Sequence, residues 1–323
     1  MSGETKNKIF QGGLQWNDYS SYIRRVFGER VQKISIDAGF TCPNRDGTIS
    51  TDACIYCNND SFSPFYCSNS LSIKEQIDTG IEFFAKKYKT QRYLAYFQTY
   101  TNTYKNIDEL KRIYSQALEN PLIVGIVIAT RPDCINTEIL EMLLEIVGNK
   151  YLLIEYGAES TKNSTLEFIN RGHSWEQTVE AVLLTNKYKI DCGLHLILGL
   201  PGENENDFFD HAKKLSELPI KTLKLHQLQI LKNTKIFDYF MSNRELFFDL
   251  SFEKYKQVII RFLEELNPEI IIDRLTSESP KEILVYPNWS GRKNYEIVHE
   301  INNDMKKANT YQGKKYLKSQ ITD

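Results

Sequence analysis

Apolar runs with the period of strands alternate with amphipathic runs along most of this chain, and this alternation constrains its fold more than any other feature. The run LIVGIVIAT at 122–130 is apolar throughout, as is typical of a parallel strand buried on both faces. Further strands are predicted at 31–37, 92–100, 151–160, 190–200 and 221–231, with helices between them. Such βα units connect right-handedly into a parallel sheet. The pattern predicts an α/β fold, either an open sheet or an incomplete barrel.

The two ends of the chain add smaller elements to this core. Residues 14–30 carry apolar groups at helical spacing and stop at Gly28, which predicts a short helix. The strand after it alternates Val31, Lys33, Ser35 and Asp37 against a second set of side chains. A helix at 252–266 and a strand at 269–275 are predicted near the other end. We therefore expect an N-terminal helical segment at 1–30, a core at 31–240, and a C-terminal extension with a basic tail at 241–323.

Composition excludes several classes of protein. The chain of 323 residues is 41% hydrophobic and 25% charged, which is ordinary for a soluble globular protein. Its six cysteines form no disulfide-like ladder, and its first residues lack the apolar core of a signal peptide. No run reaches the roughly 18 apolar residues of a membrane helix. A cytoplasmic protein without membrane contact is expected, and the net charge of −2 neither favours nor excludes a polyanion partner.

A polar loop at 39–64 carries three cysteines, Cys42, Cys54 and Cys57, with the spacing C-x11-C-x2-C. The residues between them favour turns and have no helical or strand period. A C-x2-C pair brings two sulfurs to one side of a tight turn, so the loop is typical of metal or cluster ligation. Three ligands leave one position open for chemistry, whereas Cys67 as a fourth ligand would close a structural zinc site. The spacing alone leaves iron–sulfur and zinc open, since thiolates suit both.

This loop resembles the cluster loop of radical S-adenosylmethionine (SAM) enzymes, in the wording QKISIDAGFTCPNRDGT and then CNNDSFSP. It is most similar to the YhcC/YtqA-type branch, which is related to the catalytic subunit of Elongator. The resemblance covers roughly residues 20–300 and implies a partial (β/α)6 barrel of the TIM type. It also implies a [4Fe-4S] cluster on Cys42, Cys54 and Cys57, with SAM at the fourth iron. Tyr56 occupies the family's aromatic position, whose backbone faces the adenine.

The same resemblance assigns cofactor-binding positions to the carboxyl ends of strands, where α/β barrels place their chemistry. Structural alternatives exist for several of these positions. The polar stretch after the second strand could simply be a turn. Arg131 could form a surface ion pair with Asp133, and His195 could be a core histidine with a satisfied hydrogen bond. His173 is interpreted as a helix-capping group. The positions expected to contact SAM are Gln98, Thr99, Thr101, Asn102, Arg131, Glu155, Glu159, Ser160, His195, Gly199 and Leu228.

Two departures from the branch alter turns without removing a ligand: Asp52-Ala53 replaces Gly-Gly before Cys54, and Ser277-Glu278 replaces Gly-Asp. The resemblance implies tRNA as substrate, with the C5 side chain of the wobble uridine remodelled from carboxymethylaminomethyl toward aminomethyl. Basic residues and tyrosines at 306–318 could then meet RNA phosphates. A reductant such as flavodoxin or ferredoxin is implied as partner. The alternatives are a radical SAM enzyme acting on a small metabolite or a protein, and a zinc-stabilised RNA-binding module.

Overall fold

The computed structural model describes residue 10 and the ranges 12–58, 64–88 and 91–317. Part of the predicted cluster loop (59–63) and the last residue of the basic run (318) lie outside the described residues. No helix within the described ranges combines the length and the apolar character needed to cross a membrane.

The predicted alternation of strands and helices is confirmed. The strands are β1 (Val31–Ile36), β2 (Arg92–Phe97), β3 (Ile123–Thr130), β4 (Tyr151–Glu159), β5 (Asp191–Leu198), β6 (Thr222–Gln227), β7 (Ile230–Leu231), β8 (Ile271–Arg274) and β9 (Leu284–Tyr286). The helices are α1 (Tyr19–Phe27), α2 (Ile73–Ala85), α3 (Ile107–Leu118), α4 (Thr137–Val147), α5 (Asn163–Phe168), α6 (Trp175–Lys187), α7 (Glu205–Ser216), α8 (Lys235–Ser242), α9 (Phe252–Glu265) and α10 (Asn294–Lys307).

Local chemistry sets the ends of several helices. Ser72 and Asn136 accept hydrogen bonds from the backbone amides of Glu75 and Ile139, and so cap α2 and α4. The first helix begins later than predicted, at Tyr19, and it ends where predicted. There Gly28 has a φ of 71°, which a glycine adopts without the steric cost that a side chain would add.

A seven-stranded sheet has the order β1-β2-β3-β4-β5-β6-β8. The pairs β1–β2, β2–β3, β3–β4 and β6–β8 are parallel. The middle of β3 is fully buried on both faces, as its unbroken apolar run predicts. The carboxyl ends of neighbouring parallel strands therefore meet at one edge, where the loops that follow β1 and β2 begin.

The predicted sixth strand at 221–231 is wrong in one respect, because it divides. β6 ends at Gln227, and β7 pairs antiparallel with β9 in a separate two-stranded sheet. The side chains of Gln227 and Gln229 both donate to the carbonyl oxygen of Ser277, at 2.9 and 3.2 Å. Hydrogen bonds to a residue about 50 positions away interrupt the strand, so its periodicity could not reveal the break.

The chain divides into two compact units. The cysteine unit comprises 23–158 and 170–194, and the C-terminal unit comprises 1–22, 159–169 and 195–323. Within the C-terminal unit, Gln312 is fully buried and donates to the carbonyl oxygens of Asn267 and Ile270 at 2.8 and 2.9 Å. Part of the predicted basic tail is therefore anchored against α9 and β8 rather than solvated.

Candidate functional site

The three loop cysteines follow β1, and tight turns position them. The amides of Arg45 and Asp46 donate to the carbonyl oxygen of Cys42 at 2.8 and 3.2 Å. The amide of Cys57 donates to the carbonyl oxygen of Cys54 at 3.0 Å, so the C-x2-C pair closes one turn as its spacing predicts. Cys54 is buried, whereas Cys42 and Cys57 are half-buried.

Nitrogen donors from three side chains approach two of these sulfurs. Arg45 Nη2 lies 3.2 Å from Cys57 Sγ. Arg171 Nη1 and Asn44 Nδ2 lie 3.7 and 3.6 Å from Cys54 Sγ. Hydrogen bonds and positive charge beside a sulfur favour its anionic form, and the thiolate is the form that binds a metal. The donor set therefore fits a cluster bound through thiolates.

Burial raises the pKa of the Cys57 thiol, and the neighbouring Arg45 guanidinium partly offsets this effect. A metal must therefore displace the thiol proton when it binds. No three His, Cys, Asp or Glu side chains in the described ranges are arranged to hold one metal ion. A [4Fe-4S] cluster takes its thiolates on separate irons, so that observation does not test it.

The segment Asn170-Arg171-Gly172 holds the cysteine loop from the other side. Asn44 Nδ2 donates to the carbonyl oxygen of Asn170 at 2.5 Å, and Asn170 Nδ2 donates to that of Ala53 at 2.6 Å. Ala53 itself has a φ of 56°, a left-handed conformation that favours the glycine usual in the resembling branch. The departure at this position therefore places strain directly before Cys54 and removes no ligand.

Arg131 is buried, and each of its three guanidinium nitrogens is hydrogen-bonded to a protein group. It makes two hydrogen bonds with the Asp133 carboxylate, at 2.9 and 2.8 Å, and a third to the carbonyl oxygen of Arg171 at 2.8 Å. The alternative ion pair with Asp133 is present, although it is buried rather than at the surface. Arg131 thus supports the backbone of the residue whose guanidinium faces Cys54. Its predicted contact with SAM stays a prediction.

His173 lies beside the same segment. Its ring nitrogens lie 3.1 Å from the Ser174 carbonyl oxygen and 3.2 Å from that of Gly157. Burial, and then the charge of Arg171, lower its pKa to about 3, so the ring is neutral at physiological pH. The neutral ring has one N–H and can donate to one of these two oxygens. The predicted helix-capping role is wrong, because Ser174 is the N-cap of α6 and Ile169 is the C-cap of α5.

The segment after β2 lies against the cysteine loop, because the Thr101 amide donates to the carbonyl oxygen of Thr41 at 3.1 Å. Asn102 Nδ2 donates to the carbonyl oxygens of Thr99 and Ala129 at 2.8 and 2.9 Å. Thr101 Oγ1 and Asn102 Oδ1 are buried and have no hydrogen-bond partner among the described residues. Buried polar atoms normally have partners, so these two fit a bound polar ligand next to the cysteines.

Gln98 and Glu155 lie on one face of the sheet in the cysteine unit. Gln98 Nε2 donates to Ser35 Oγ at 2.9 Å. Glu155 forms an ion pair with Lys33 of β1, with Oε1 2.9 Å from Nζ. The sequence placed Lys33 on the same strand face as Ser35 but gave it no function, and nothing local reveals a partner 122 residues away.

The C-terminal unit holds a second group of predicted residues. Glu159 has a φ of 64°, and its Oε2 lies 3.7 Å from His195 Nδ1. The rings of His195 and His226 pack with centroids 4.5 Å apart. Burial, followed by the charge of Arg274, lowers the pKa of His226 to about 3. His226 is therefore neutral, and Glu159 is the acidic neighbour of His195.

Ser160 belongs to a fully buried network. Its hydroxyl donates to Glu203 Oε1 at 2.5 Å, and the same oxygen lies 3.3 Å from His211 Nε2. His211 Nδ1 is 2.7 Å from Thr161 Oγ1. Glu203 and His211 were not among the predicted site residues, although Glu203 lies three residues after the predicted strand at 190–200. The network fixes the rotamer of Ser160.

The remaining predicted positions have backbone roles in the structure. Gly199 has a φ of 91°, and an added Cβ would lie 2.8 Å from Leu250 Cδ1, so close packing requires this glycine. The Leu228 amide donates to the carbonyl oxygen of Leu198 at 2.8 Å. Tyr56 is half-buried within the C-x2-C turn. Their contacts with SAM stay predictions.

These features define an α/β protein with a thiolate loop at the carboxyl end of its first strand. The Radical SAM superfamily pattern matches residues 41–215, and the Radical_SAM C-terminal domain pattern matches residues 220–307. The chain belongs to the radical SAM superfamily of enzymes, and the predicted partial (β/α)6 barrel fold is confirmed with that membership.

Relatives extend the similarity over nearly the whole chain. YtqA of Bacillus subtilis is 32% identical over 300 residues, which is 93% of this chain and 92% of YtqA. A tRNA uridine(34) acetyltransferase of Methanocaldococcus infernus is 21% identical over 56% of this chain and 33% of its own length. The structure of Elp3 from M. infernus matches with a TM-score of 0.65 and 18% identity, over 87% of this chain and 64% of that chain, and so shares the fold.

Proposed function

We propose that this radical SAM enzyme binds a [4Fe-4S] cluster through Cys42, Cys54 and Cys57 and modifies the C5 side chain of the wobble uridine in tRNA. The observation that carries the proposal is the cysteine loop itself: donors face Cys54 Sγ and Cys57 Sγ, and unpartnered polar atoms of Thr101 and Asn102 lie in the adjacent segment. When bound, the cluster and SAM supply a 5′-deoxyadenosyl radical that abstracts hydrogen from an unreactive C–H bond.

The chain's own groups position that chemistry. Arg45 and Arg171 place positive charge and hydrogen bonds next to the ligating sulfurs, which tunes a cluster toward reduction. Thr101 Oγ1 and Asn102 Oδ1 are available to the amino group of SAM. Gln98, Thr99 and Arg131 lie near the same edge of the cysteine unit. For Glu159, Ser160, His195, Gly199 and Leu228 of the C-terminal unit, contact with SAM is proposed from the family resemblance alone.

The tRNA substrate rests on weaker support than the enzyme class. One relative's name gives uridine 34 of tRNA as its site of action, and the resemblance of the cysteine loop to the YhcC/YtqA-type branch implies the same substrate. Exposed lysines near the end of α10 provide positive charge for phosphates. We propose conversion of a carboxymethylaminomethyl group to the aminomethyl form. Removal of a hydrogen atom and one electron from the methylene next to the carboxylate would give an imine, and its hydrolysis would release the two-carbon fragment as glyoxylate and leave the amine. SAM would be the two-electron oxidant, giving methionine and 5′-deoxyadenosine, and flavodoxin or ferredoxin would supply the initiating electron. Membership of the superfamily favours this over the zinc-stabilised module.

The test is anaerobic reconstitution with iron and sulfide, followed by measurement of 5′-deoxyadenosine without and with bulk tRNA. We expect about four irons per chain, nucleoside formation that depends on a reductant, and a mass change at the wobble uridine. Formation of 5′-deoxyadenosine without any mass change at the wobble uridine would instead support a metabolite or protein substrate. Zinc without iron would overturn the cluster.

A further inference from the structure

The polar row on one face of the cysteine-unit sheet contains an unusual pair of charges. Register places Ser35 opposite Tyr96, so the set Lys33, Ser35, Tyr96, Gln98 and Glu155 projects to the same side of β1, β2 and β4. These side chains are half-buried apart from the buried Glu155, whereas Ile34, Ile36, Phe97 and Ile154 on the opposite face are fully buried. Leu94, Val127 and Leu153 on the first face are fully buried as well, so solvent reaches that face only at its polar side chains.

Lys33 and Glu155 meet across this face although two strands lie between them. Three strand spacings of about 4.8 Å separate β1 from β4, yet Lys33 Nζ lies 2.9 Å from Glu155 Oε1. Their side chains are 16% and 7% exposed. Lys33 Nζ also lies 5.2 Å from the ring centroid of Tyr96, whose π face favours a cation. On this face β3 contributes Val127 and Ala129, whose side chains are shorter than those of Lys33 and Glu155.

An ion pair at such a place is costly to desolvate, and an apolar pair of the same volume would hold the sheet as well or better. The ion pair can do one thing that an apolar pair cannot: it can bind a zwitterion, with the ammonium of each facing the carboxylate of the other. Four alternating charges then sum to zero, so binding buries no net charge. An ammonium has three donors and a carboxylate has about four acceptor sites. Each group can therefore keep its present partner and bind a further one.

We propose that Lys33 and Glu155 form the binding site for a zwitterionic amino-acid side chain on the nucleoside substrate, a role that replaces the SAM contact expected of Glu155. The carboxymethylaminomethyl group has this character, with a secondary ammonium and a carboxylate separated by one carbon. The choice of this group rests on the proposed tRNA function. Lys33 binds the substrate carboxylate, and Glu155 binds the substrate ammonium. The aminomethyl product lacks the carboxylate, so it forms no ion pair with Lys33 and is bound more weakly than the substrate.

The test measures how the enzyme discriminates between substrate and product without turnover. Reconstituted full-length enzyme is titrated, without reductant, with tRNA carrying carboxymethylaminomethyluridine or aminomethyluridine at the wobble position. The wild-type enzyme is expected to prefer the former by at least about 10-fold. Lys33→Met is expected to bring this ratio close to one, and Lys33→Arg to restore part of it. A purely structural role would weaken binding of both tRNAs equally.

Two further variants keep the result decisive. The exchange Lys33→Glu with Glu155→Lys retains an ion pair but reverses its polarity, so it is expected to lose the preference while iron content stays normal. Lys256→Met is the matched control, since Lys256 is 11% exposed and pairs with Asp304 at 2.8 Å on the α9–α10 surface. A wild-type preference that survives in the exchanged variant would overturn this inference alone. Absence of tRNA conversion by the reduced wild-type enzyme would overturn the proposed function as well.

Discussion

Two arginines distinguish the surroundings of the loop cysteines. Arg171 is buried and fixed, because its Nη2 also donates to the carbonyl oxygen of Gly157 at 2.7 Å. Arg45 is exposed, and its guanidinium lies 5.6 Å from the ring centroid of Tyr100. A buried donor and an exposed one act differently on a cluster: the first contributes to folding of the loop, and the second can be removed with little effect on the fold.

Serine at Cys42, Cys54 or Cys57 is expected to lower both bound iron and 5′-deoxyadenosine formation, by at least the roughly 10- to 100-fold that loss of an outer-shell partner costs. A hydroxyl does not ionise as a thiol does and is a poor ligand for iron. Iron analysis and chromatography of the nucleoside measure the two quantities. Cys192→Ala is the control, since burial raises the pKa of that thiol to about 12 and it lies in β5. Retention of iron and nucleoside in a loop variant would contradict the cluster assignment.

Arg45→Met is expected to make the reduction potential of the cluster more negative and to slow SAM cleavage by up to about 10-fold. The reason is that the guanidinium, 3.2 Å from Cys57 Sγ, stabilises the more negative reduced state. Redox titration followed by electron paramagnetic resonance measures the potential. Arg30→Met removes a guanidinium that stacks on Tyr88 at 3.8 Å, so it serves as control. Equal potentials in both variants would argue against the contact.

At the scale of elements, short segments in left-handed backbone conformations join the cysteine loop to the turn after α5. Asn170 and Gly172 have φ values of 54° and 76°, and Ala53 of the loop has 56°. Their hydrogen bonds link 44–53 to 170–171 in both directions. The loop is therefore positioned by a distant turn, and its own sequence supplies only part of its geometry.

Gly172→Ala is expected to destabilise the protein by about 2 kcal/mol, of which roughly half is the left-handed backbone cost. The remainder arises because the new Cβ would lie 2.7 Å from Asn44 Oδ1. Gly202→Ala is a matched control, with a φ of 79° and no atom within 4 Å of its Cβ. Urea unfolding measures both. Equal destabilisation by the two substitutions would show that the Asn44 contact is unimportant.

His226 of β6 is expected to make the protein sensitive to acid. Its folded pKa of about 3 lies below the unfolded value of 6.5, so the unfolded chain binds the extra proton between these limits. Its contribution to stability is thus full above pH 6.5 and declines as pH falls, with a slope of about 1.4 kcal/mol per pH unit. His226→Gln is expected to flatten the curve of unfolding free energy between pH 6 and 4. His299→Gln, at an exposed site, is the control, and identical curves for the two variants would contradict this assignment.

For the whole molecule, charge is nearly balanced at a formal net charge of −2. Several basic groups near the end of the chain are paired with acids, such as Lys293 with Glu278 and Arg292 with Glu300, at 3.7 and 3.4 Å. Lys306, Lys307 and Lys314 are exposed. A tRNA would therefore have to be attracted by a local cluster of positive charge, because the molecule as a whole has no net positive charge.

Replacing Lys306, Lys307 and Lys314 together by Gln is expected to reduce the salt dependence of tRNA binding. Each lost phosphate contact lowers the slope of log affinity against log salt by about 0.7 to 0.9. Filter binding at several salt concentrations measures the slope. The control replaces the equally exposed Lys74, Lys86 and Lys87, which removes the same charge from the cysteine unit. A similar loss in both variants would mean that the tail has no specific contact with RNA.

Much of this architecture followed from local patterns. The apolar period located the strands within a few residues, Gly28 marked the end of the first helix, and the loop spacing gave the three candidate ligands. These features depend on neighbours in sequence, which a linear pattern records. The division of the sixth strand could not be predicted, because Ser277 supplies the hydrogen bonds that end it.

The chain's order of residues by itself determined the class of fold, the candidate sulfur ligands and the polar character of the strand ends. Only the tertiary structure decided which groups meet there. Arg171 reaches Cys54 from 117 residues away, and Lys33 reaches Glu155 from 122 residues away. A polar residue on a half-buried strand does not disclose its partner, because the pairing depends on the order and curvature of strands that lie between the two. The charges that would select a substrate are therefore set by packing across the sheet.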